Sequence, residues 1–333
     1  MVKFDVGIDI GTTNTKICFK NKPIIVNMPS VVAIKKNSKE VVGVGEKAYD
    51  MLGKAPNSII VKKTMSKGVV GDFFLNQIML KEAFLKNFGR NFKKPRICIC
   101  FHSFMTNLEK LVFKNSIFSS NNDNIFLIDE SLASGIGAGL NFSNENKFLV
   151  VNIGGGTTDI AIICSDGIVS NKSVRTGSEL IDEIICKNLS RNHNLLIGKS
   201  TAEKIKKRAV TVLNPNPNLK FEIKGKDTVS GLPKTLKISQ KEICSNINMP
   251  VEKIIDNIYD IITISSDVIA DIQKNGIILT GGGSLVPGLK EVISKRFELP
   301  VTVAKNPISC AAFGALNSSS VLNESFNKFI LQA

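Results

Sequence analysis

The chain has 333 residues, enough for two globular domains at roughly 150 residues each. Hydrophobic residues make up 43% and charged residues 22%, which excludes wholesale disorder and provides for a sizeable core. Lysine and arginine exceed aspartate and glutamate by 43 − 29 = 14, a balance that suits a nucleotide, a nucleic acid, an acidic lipid or a merely solvated lysine surface without choosing among them.

Met1–Asp5 leads directly into a strand pattern, so no secretory leader is expected, and no run approaches the roughly 18 apolar residues of a membrane span. Seven cysteines without a CxxC pair, and only two histidines, argue against a zinc site and for a reducing, cytoplasmic setting. Val6–Cys18 reads as strand, glycine turn, strand, and Lys36–Lys67 as an insertion between larger elements. Phe84–Lys94 interleaves three phenylalanines with basic residues. It reads either as a membrane-binding patch, with Phe92, Lys93 and Lys94 at its tip, or as a helix burying Phe84, Leu85 and Phe88.

The hairpin pattern of Val6–Cys18 returns at Leu149–Ile162, with Asn152 at the position of Asp9. Glycines let backbone amides approach an anion, threonine hydroxyls add donors, and a carboxylate at the strand end can hold a hydrated magnesium. Two such turns facing each other across a cleft suit a phosphate chain. A third glycine turn, Gly276–Gly288, again follows a buried strand and precedes a helix. Helical periodicity is clear at Glu179–Leu189 and at Glu252–Ile272. Thr201–Arg208 is a further helix with Glu203 in its first turn, broken by Asn214-Pro-Asn-Pro-Asn218, and short strands follow to about Pro233.

These motifs resemble the actin-fold ATPases, and among them the MreB bacterial actins, from about residue 6 to about residue 317. The resemblance is carried by Gly7–Thr15, Pro29–Ala33, Val44–Glu46, Gly68–Phe73, Phe126–Gly137, Ile153–Thr158, Ile197–Glu203 and Leu279–Leu285. It implies an α/β, ribonuclease-H-like duplicated two-domain fold around a central nucleotide cleft. The first domain would span 1–140, with a small subdomain at about 29–68 and a C-terminal helix at about 306–333 packing back on it. The second would span 141–305, with a small subdomain at about 180–240.

Residue by residue, the resemblance implies phosphate contacts from Gly11, Thr12, Thr13 and Asn14, and from Gly154, Gly155, Gly156 and Thr157. Glu203 and Lys206 would hold the ribose and adenine side, and Gly281, Gly282, Gly283 and Ser284 would close the nucleoside pocket. Asp9, with Asn152, would hold magnesium through water, and Glu130 and Thr157 would orient the attacking water. Glu130 also reads as a loop acid or a helix cap beside Ser131, a position where the family has proline. Lys16 is either an outward strand lysine or a phosphate contact of the kind eukaryotic actins carry. Asn152 stands where the family usually has aspartate, which predicts weaker magnesium dependence or slower hydrolysis.

The function implied is an ATPase that binds ATP or ADP with magnesium and forms filaments. Such filaments would be antiparallel pairs on the inner face of the membrane, serving wall synthesis, shape or, in a wall-less cell, motility. Partners would be the chain itself, an anionic membrane and other MreB paralogues, with no nucleic acid, since two tyrosines and no tryptophan offer little to stack on bases. A small-molecule kinase of the same superfamily and an FtsA-like adaptor are the alternatives. The first would need an acceptor-binding insert, the second a differently placed subdomain.

Overall fold

The computed structural model describes residues 3–20, 25–88, 95–115, 124–142, 146–265, 268–321 and 331–332. The fully buried strand β1 (Val6–Ile10) turns back into β2 (Asn14–Phe19), with Asp9 opposite Lys16, and β3 (Ile25–Pro29) pairs antiparallel beyond it. Next come β4 (Val31–Lys35), β5 (Val41–Val44), helix α1 (Glu46–Tyr49) and β6 (Ile59–Lys63), whose strands form a separate sheet ordered β5-β4-β6. A small hairpin, β7 (Met65–Ser66) and β8 (Val69–Val70), leads to α2 (Phe73–Phe88). The chain then runs through β9 (Ile97–Phe101), α3 (Asn107–Asn115) and β10 (Ile125–Asp129), each strand parallel to its neighbour on the β1 side, and into α4 (Glu130–Gly137).

The second half repeats this plan. β11 (Phe148–Ile153), β12 (Thr158–Cys164) and β13 (Gly167–Val174) form an antiparallel meander, with Asn152 opposite Asp159. After α5 (Glu179–His193), β14 (Leu195–Leu196), α6 (Lys199–Ala209), β15 (Lys220–Asp227) and β16 (Pro233–Ser239), the three strands form their own sheet. Helices α7 (Gln240–Ile243), α8 (Asn248–Ile264) and α9 (Ile269–Asn275) lead to β17 (Ile277–Thr280), parallel to β11. A 3-10 turn at Gly282–Leu285, α10 (Leu289–Phe297) and β18 (Val301–Val303) follow, then α11 (Cys310–Val321) and the edge strand β19 (Leu331–Gln332). The two main sheets thus read β19-β10-β9-β1-β2-β3 and β13-β12-β11-β17-β18, with β1 and β11 in matching places.

Helices α4 and α11 sit between these sheets. Leu132, Ala133, Ile136, Ala311 and Ala315 join Cys98 and Cys100 of one sheet to Val150, Ala161 and Ile163 of the other in one apolar cluster. Small residues set how close the helices come: a Cβ at Gly137 would strike the Cys310 carbonyl, and one at Gly314 the Ala133 carbonyl. This close pair holds the two sheets, and hence the two glycine turns, in register. On the outer faces, α2 covers the first sheet with Leu75, Met79 and Leu80, and α8 covers the second with Ile254, Ile255 and Ile258. Each fully buried side chain of this size contributes about 1.5–3 kcal/mol.

Several sequence expectations need correction. The single helix expected over Glu252–Ile272 is two helices: α8 ends at Ile264 and α9 restarts at Ile269. Ser265 has non-helical geometry, at φ −113° and ψ 52°, and serine disfavours a helix interior. Helix α6 starts at Lys199 after Gly198, so Glu203 lies in its second turn, not its first. The C-terminal helix expected from about 306 begins at Cys310, after a 3-10 turn opened by Pro307, and Leu331–Gln332 is a strand completing the edge at β10. Phe84 is buried beneath the first sheet while Leu85 is 38% exposed, so a shared buried face holds for the first residue and not the second. Phe92, Lys93 and Lys94 lie outside the described residues. Among the described residues no helix is long and apolar enough to cross a membrane.

Candidate functional site

The turns after β1 and β11 close with the same hydrogen bond, Gly11 N–H to Asn14 O (3.1 Å) and Gly154 N–H to Thr157 O (2.8 Å). They face each other at contact distance: a Cβ on Gly155 would strike the Thr13 hydroxyl, and one on Gly156 would lie 2.7 Å from Thr12 Oγ1. The third turn joins them from the side. Gly281, at φ +78°, lies against the Ile153 carbonyl, and Thr280 Oγ1 donates to Asn152 Oδ1 (3.2 Å).

A cavity of about 440 Å³ opens between these turns. That volume lies in the ordinary range for small-molecule sites. Asp9, Gly11, Thr12, Thr13, Asn14, Lys16, Glu130, Asn152, Gly154, Gly155, Thr157, Glu203, Lys206, Gly281 and Gly282 all line it. Gly156, Gly283 and Ser284 do not. Gly156 backs onto Thr12, Gly283 onto Ile153, and the buried Ser284 hydroxyl donates to Gly281 O (2.7 Å) within the turn. These three shape the walls from behind.

At the cavity floor, Asp129 caps α4 by accepting from Ser131 N–H (2.9 Å) and Leu132 N–H (3.4 Å). Glu130 is therefore the first helical residue, neither a loop acid nor the cap, and is buried at 7% exposure. Its Oε1 accepts from Asn152 Nδ2 (2.7 Å), and its Oε2 lies 3.0 Å from His102 Nδ1. The same nitrogen lies 3.1 Å from Asp159 Oδ2. Burial alone would disfavour the imidazolium, but the Glu130 and Asp159 carboxylates outweigh it and hold the His102 pKa well above its usual value. Lys16 Nζ is ion-paired with Asp9 Oδ2 at 2.6 Å, so it is not an outward strand lysine. Burial pushes the Asp9 pKa up, against the opposing pull of Lys16. Asp9 Oδ1 is buried and has no protein hydrogen-bond partner.

The rim is tied across the cleft. Glu179 Oε1 accepts from Thr13 Oγ1 (2.6 Å) and from Lys63 Nζ (2.7 Å). Burial works to raise its pKa, yet Lys63 and Thr13 hold it below the usual value. Glu203 accepts from Tyr49 OH (2.6 Å) and pairs with Lys207 (2.7 Å), while Lys206 Nζ reaches Ser178 O (3.0 Å) and Asp182 Oδ2 (2.8 Å). Sequence reasoning missed His102, Asp159, Glu179, Asp182, Lys63 and Tyr49. A rare histidine just beyond the end of a buried parallel strand was the available signal for His102. Nothing local marked the rim residues, whose partners are distant in sequence.

A family model described as MreB/Mbl protein matches residues 3–326. The chain is 38% identical over 312 residues to the cell shape-determining protein Mbl of Bacillus subtilis, covering 93% of this chain and 94% of that one. It is 34% identical over 321 residues to the cell shape-determining protein MreB of Escherichia coli K12, covering 94% and 92%. The crystal structure of MreB 5 of Spiroplasma citri bound to AMPPNP superposes with a TM-score of 0.89 at 28% identity, over 98% of both chains. The MamK double helical filament, at 19% identity and a TM-score of 0.77 over 97% of this chain and 100% of that one, shares the fold. With an actin-like α/β fold and relatives matched along almost its whole length, the chain belongs to the MreB/Mbl family.

Proposed function

We propose that the chain binds ATP or ADP in the cleft between its two halves, hydrolyses ATP, and assembles with itself into filaments that act in cell shape or, in a wall-less cell, motility. The observation that carries this reading is the convergence of three glycine turns on one cavity with Glu130 and Thr157 among its lining residues. The relatives are cell shape-determining proteins, and MreB 5 of Spiroplasma citri, similar over 98% of the chain, has been crystallised with AMPPNP and with ADP.

In this reading the phosphates lie between Gly11–Asn14 and Gly154–Thr157, whose amides and hydroxyls donate to them. Lys16 brings a cation to the same turn. Glu203 and Lys206 take the ribose and adenine side, and Gly281 and Gly282 wall the nucleoside. The donor set fits magnesium: Asp9 Oδ1, buried and unpartnered, is free to accept from a metal-bound water, and Asn152 lines the same cavity. When bound, magnesium would supply positive charge to the phosphate oxygens. Glu130, anchored by Asn152 and His102, and the Thr157 hydroxyl orient the water that attacks the terminal phosphate. Two domains at about 1–140 and 141–305, with small subdomains at about 29–68 and 180–240, would open and close on the nucleotide.

A peripheral position on the inner membrane face, through Phe92, Lys93 and Lys94, and pairing with related chains extend the proposal. Electron microscopy and phosphate release with ATP, ADP and no nucleotide test its core: filaments and turnover that need ATP are expected. Acceptor-dependent ADP formation without filaments would instead identify a kinase. Liposome co-sedimentation with Phe92→Ser and Lys93/Lys94→Ser tests the membrane part, and undiminished pelleting removes those residues from it.

A further inference from the structure

His102 follows the end of β9 and occupies a place built around its ring. Phe104 stacks on it at a centroid distance of 5.3 Å and an interplanar angle of 12°, and Arg175 lies over the other ring at 5.2 Å. On another side the backbone of Gly68 comes so close that a Cβ there would stand 2.7 Å from His102 Cδ2 and 2.8 Å from Thr157 Cγ2. The imidazole is therefore held in one plane, next to the Thr157 side chain, with its Nδ1 aimed at Glu130 Oε2 and Asp159 Oδ2.

The partners of these carboxylates are fully assigned. Glu130 Oε1 takes Asn152, and Asp159 Oδ1 takes the Ser173 hydroxyl. One oxygen of each is left to share a single nitrogen. His102, Glu130 and Asp159 are all under 8% exposed. Two buried carboxylates that close repel unless a cation lies between them, and a protonated imidazole supplies it. Without it, Glu130 would keep one of its two anchors and gain freedom about its terminal torsion.

We propose that His102 is a positioning residue for Glu130: its Nδ1–H, shared with Asp159, fixes the carboxylate that orients the attacking water. This rests on the hydrolytic role given to Glu130 above. Asp159 keeps the imidazole protonated, and Phe104 and Gly68 keep it in plane. Among the described residues, other charged groups acting on the site are Asp9, paired with Lys16, Asp129, whose carboxyl interacts with that of Asp159, and Arg175, which reaches it through Phe104.

Because the chain has two histidines, imidazole nitrogen NMR of the full-length protein reads His102 directly, with His102→Asn assigning its signals against His193. One imidazole is expected to remain protonated well above the ordinary histidine midpoint, and Asp159→Asn is expected to lower its midpoint. An ordinary midpoint near 6.5 overturns the proposal. So does an imidazole that lacks the proton at first and gains it only on adding EDTA, since a bound metal cation would then be joining the carboxylates. In ATP turnover, His102→Ala should lower kcat roughly 10- to 100-fold with KM changed less than about 2-fold, as for a misplaced reacting group. His102→Asn, whose amide can donate to Oε2, should restore most of the rate. An unchanged kcat in His102→Ala beside an inactive Glu130→Gln defeats the proposal alone, whereas an active Glu130→Gln defeats the role of Glu130 itself. If His102→Ala does not fold, Asp159→Asn carries the kinetic arm, with an unchanged kcat again decisive against it.

Discussion

Asn152 Nδ2 donates to Glu130 Oε1 across 2.7 Å, tying the hairpin of the second half to the first residue of α4 in the first half. Both side chains are buried, at 4% and 7% exposure, and Thr280 completes the contact by donating to Asn152 Oδ1. A carboxylate at 152 could accept from Thr280 but would face Glu130 as a like charge. Asn152→Asp should therefore destabilise the nucleotide-free protein by roughly 2–4 kcal/mol, within the range for breaking a buried polar pair. Magnesium with nucleotide should recover much of this, and turnover should become more steeply dependent on magnesium. Melting curves with and without magnesium-nucleotide check the first claim, and phosphate release across magnesium concentrations the second. Curves identical to the parent in both would show that the amide is not what sets the metal response.

Tyr49 holds Glu203 from across the cleft at 2.6 Å, in the place a ribose hydroxyl would take under the proposed function. Burial and the Glu203 hydrogen bond both raise the phenol's pKa, so it is a donor at any physiological pH. Tyr49→Phe removes a competitor for Glu203 worth about 1 kcal/mol. ADP should then bind roughly 5-fold more tightly. Fluorescence titration with a labelled adenine nucleotide measures this, and weaker binding in the variant would mean that Tyr49 assists the ligand rather than competing with it.

The duplicated hairpins were legible because a turn of glycines and threonines between β-branched strands writes its geometry locally. The third turn was legible for the same reason. What the residues could not display is how their side chains are shared. Lys16 reads equally as an outward strand residue or a phosphate contact until its register opposite Asp9 is known, and Asp159 occupies the matching place opposite Asn152. His102 shows locally only as a rare histidine after an apolar strand, and its role is not legible, because its partners come from α4 and β12 and its ring is fixed by Phe104 and by a loop 34 residues earlier at Gly68. The break between α8 and α9 is not legible because the apolar periodicity continues past Ser265, where the backbone leaves helical geometry.

Asp129 offers a pH test. Burial raises its carboxyl pKa to about 6, against the opposing effects of the Ser103 hydroxyl and the α4 amides. In the unfolded chain the value is near 3.9. Between those pH values the folded chain binds more protons than the unfolded one, so stability is lost as pH rises from about 4 to about 6, by on the order of 2–3 kcal/mol. Asp129→Asn keeps a good cap and removes the charge. Its stability should vary less over that window and equal or exceed the parent's at pH 7. Urea unfolding at pH 4.5, 5.5 and 7 reads both quantities, and an unaltered pH slope would place the titration elsewhere.

Gly314 tests the packing that brings the two halves together. On α11 it faces Ala133 and Gly137 of α4, and a Cβ would run into the Ala133 carbonyl carbon at 2.6 Å and the Gly137 nitrogen at 2.8 Å. Both neighbours are backbone, so relief requires the helices to separate. Intrinsic helix propensity favours alanine over glycine by about 1 kcal/mol, which works against the clash. Overpacking of a closed core costs typically 1–3 kcal/mol and occasionally more, and backbone-to-backbone collision belongs at the upper end. Gly314→Ala should be net destabilising by roughly 2 kcal/mol or more. Because α4 carries Glu130 at its first residue, the same shift should disturb turnover more than nucleotide affinity. A variant as stable as the parent would mean that the helices can part without cost, and that the glycine turns are held facing each other by the rim contacts of Glu179 and Glu203 instead.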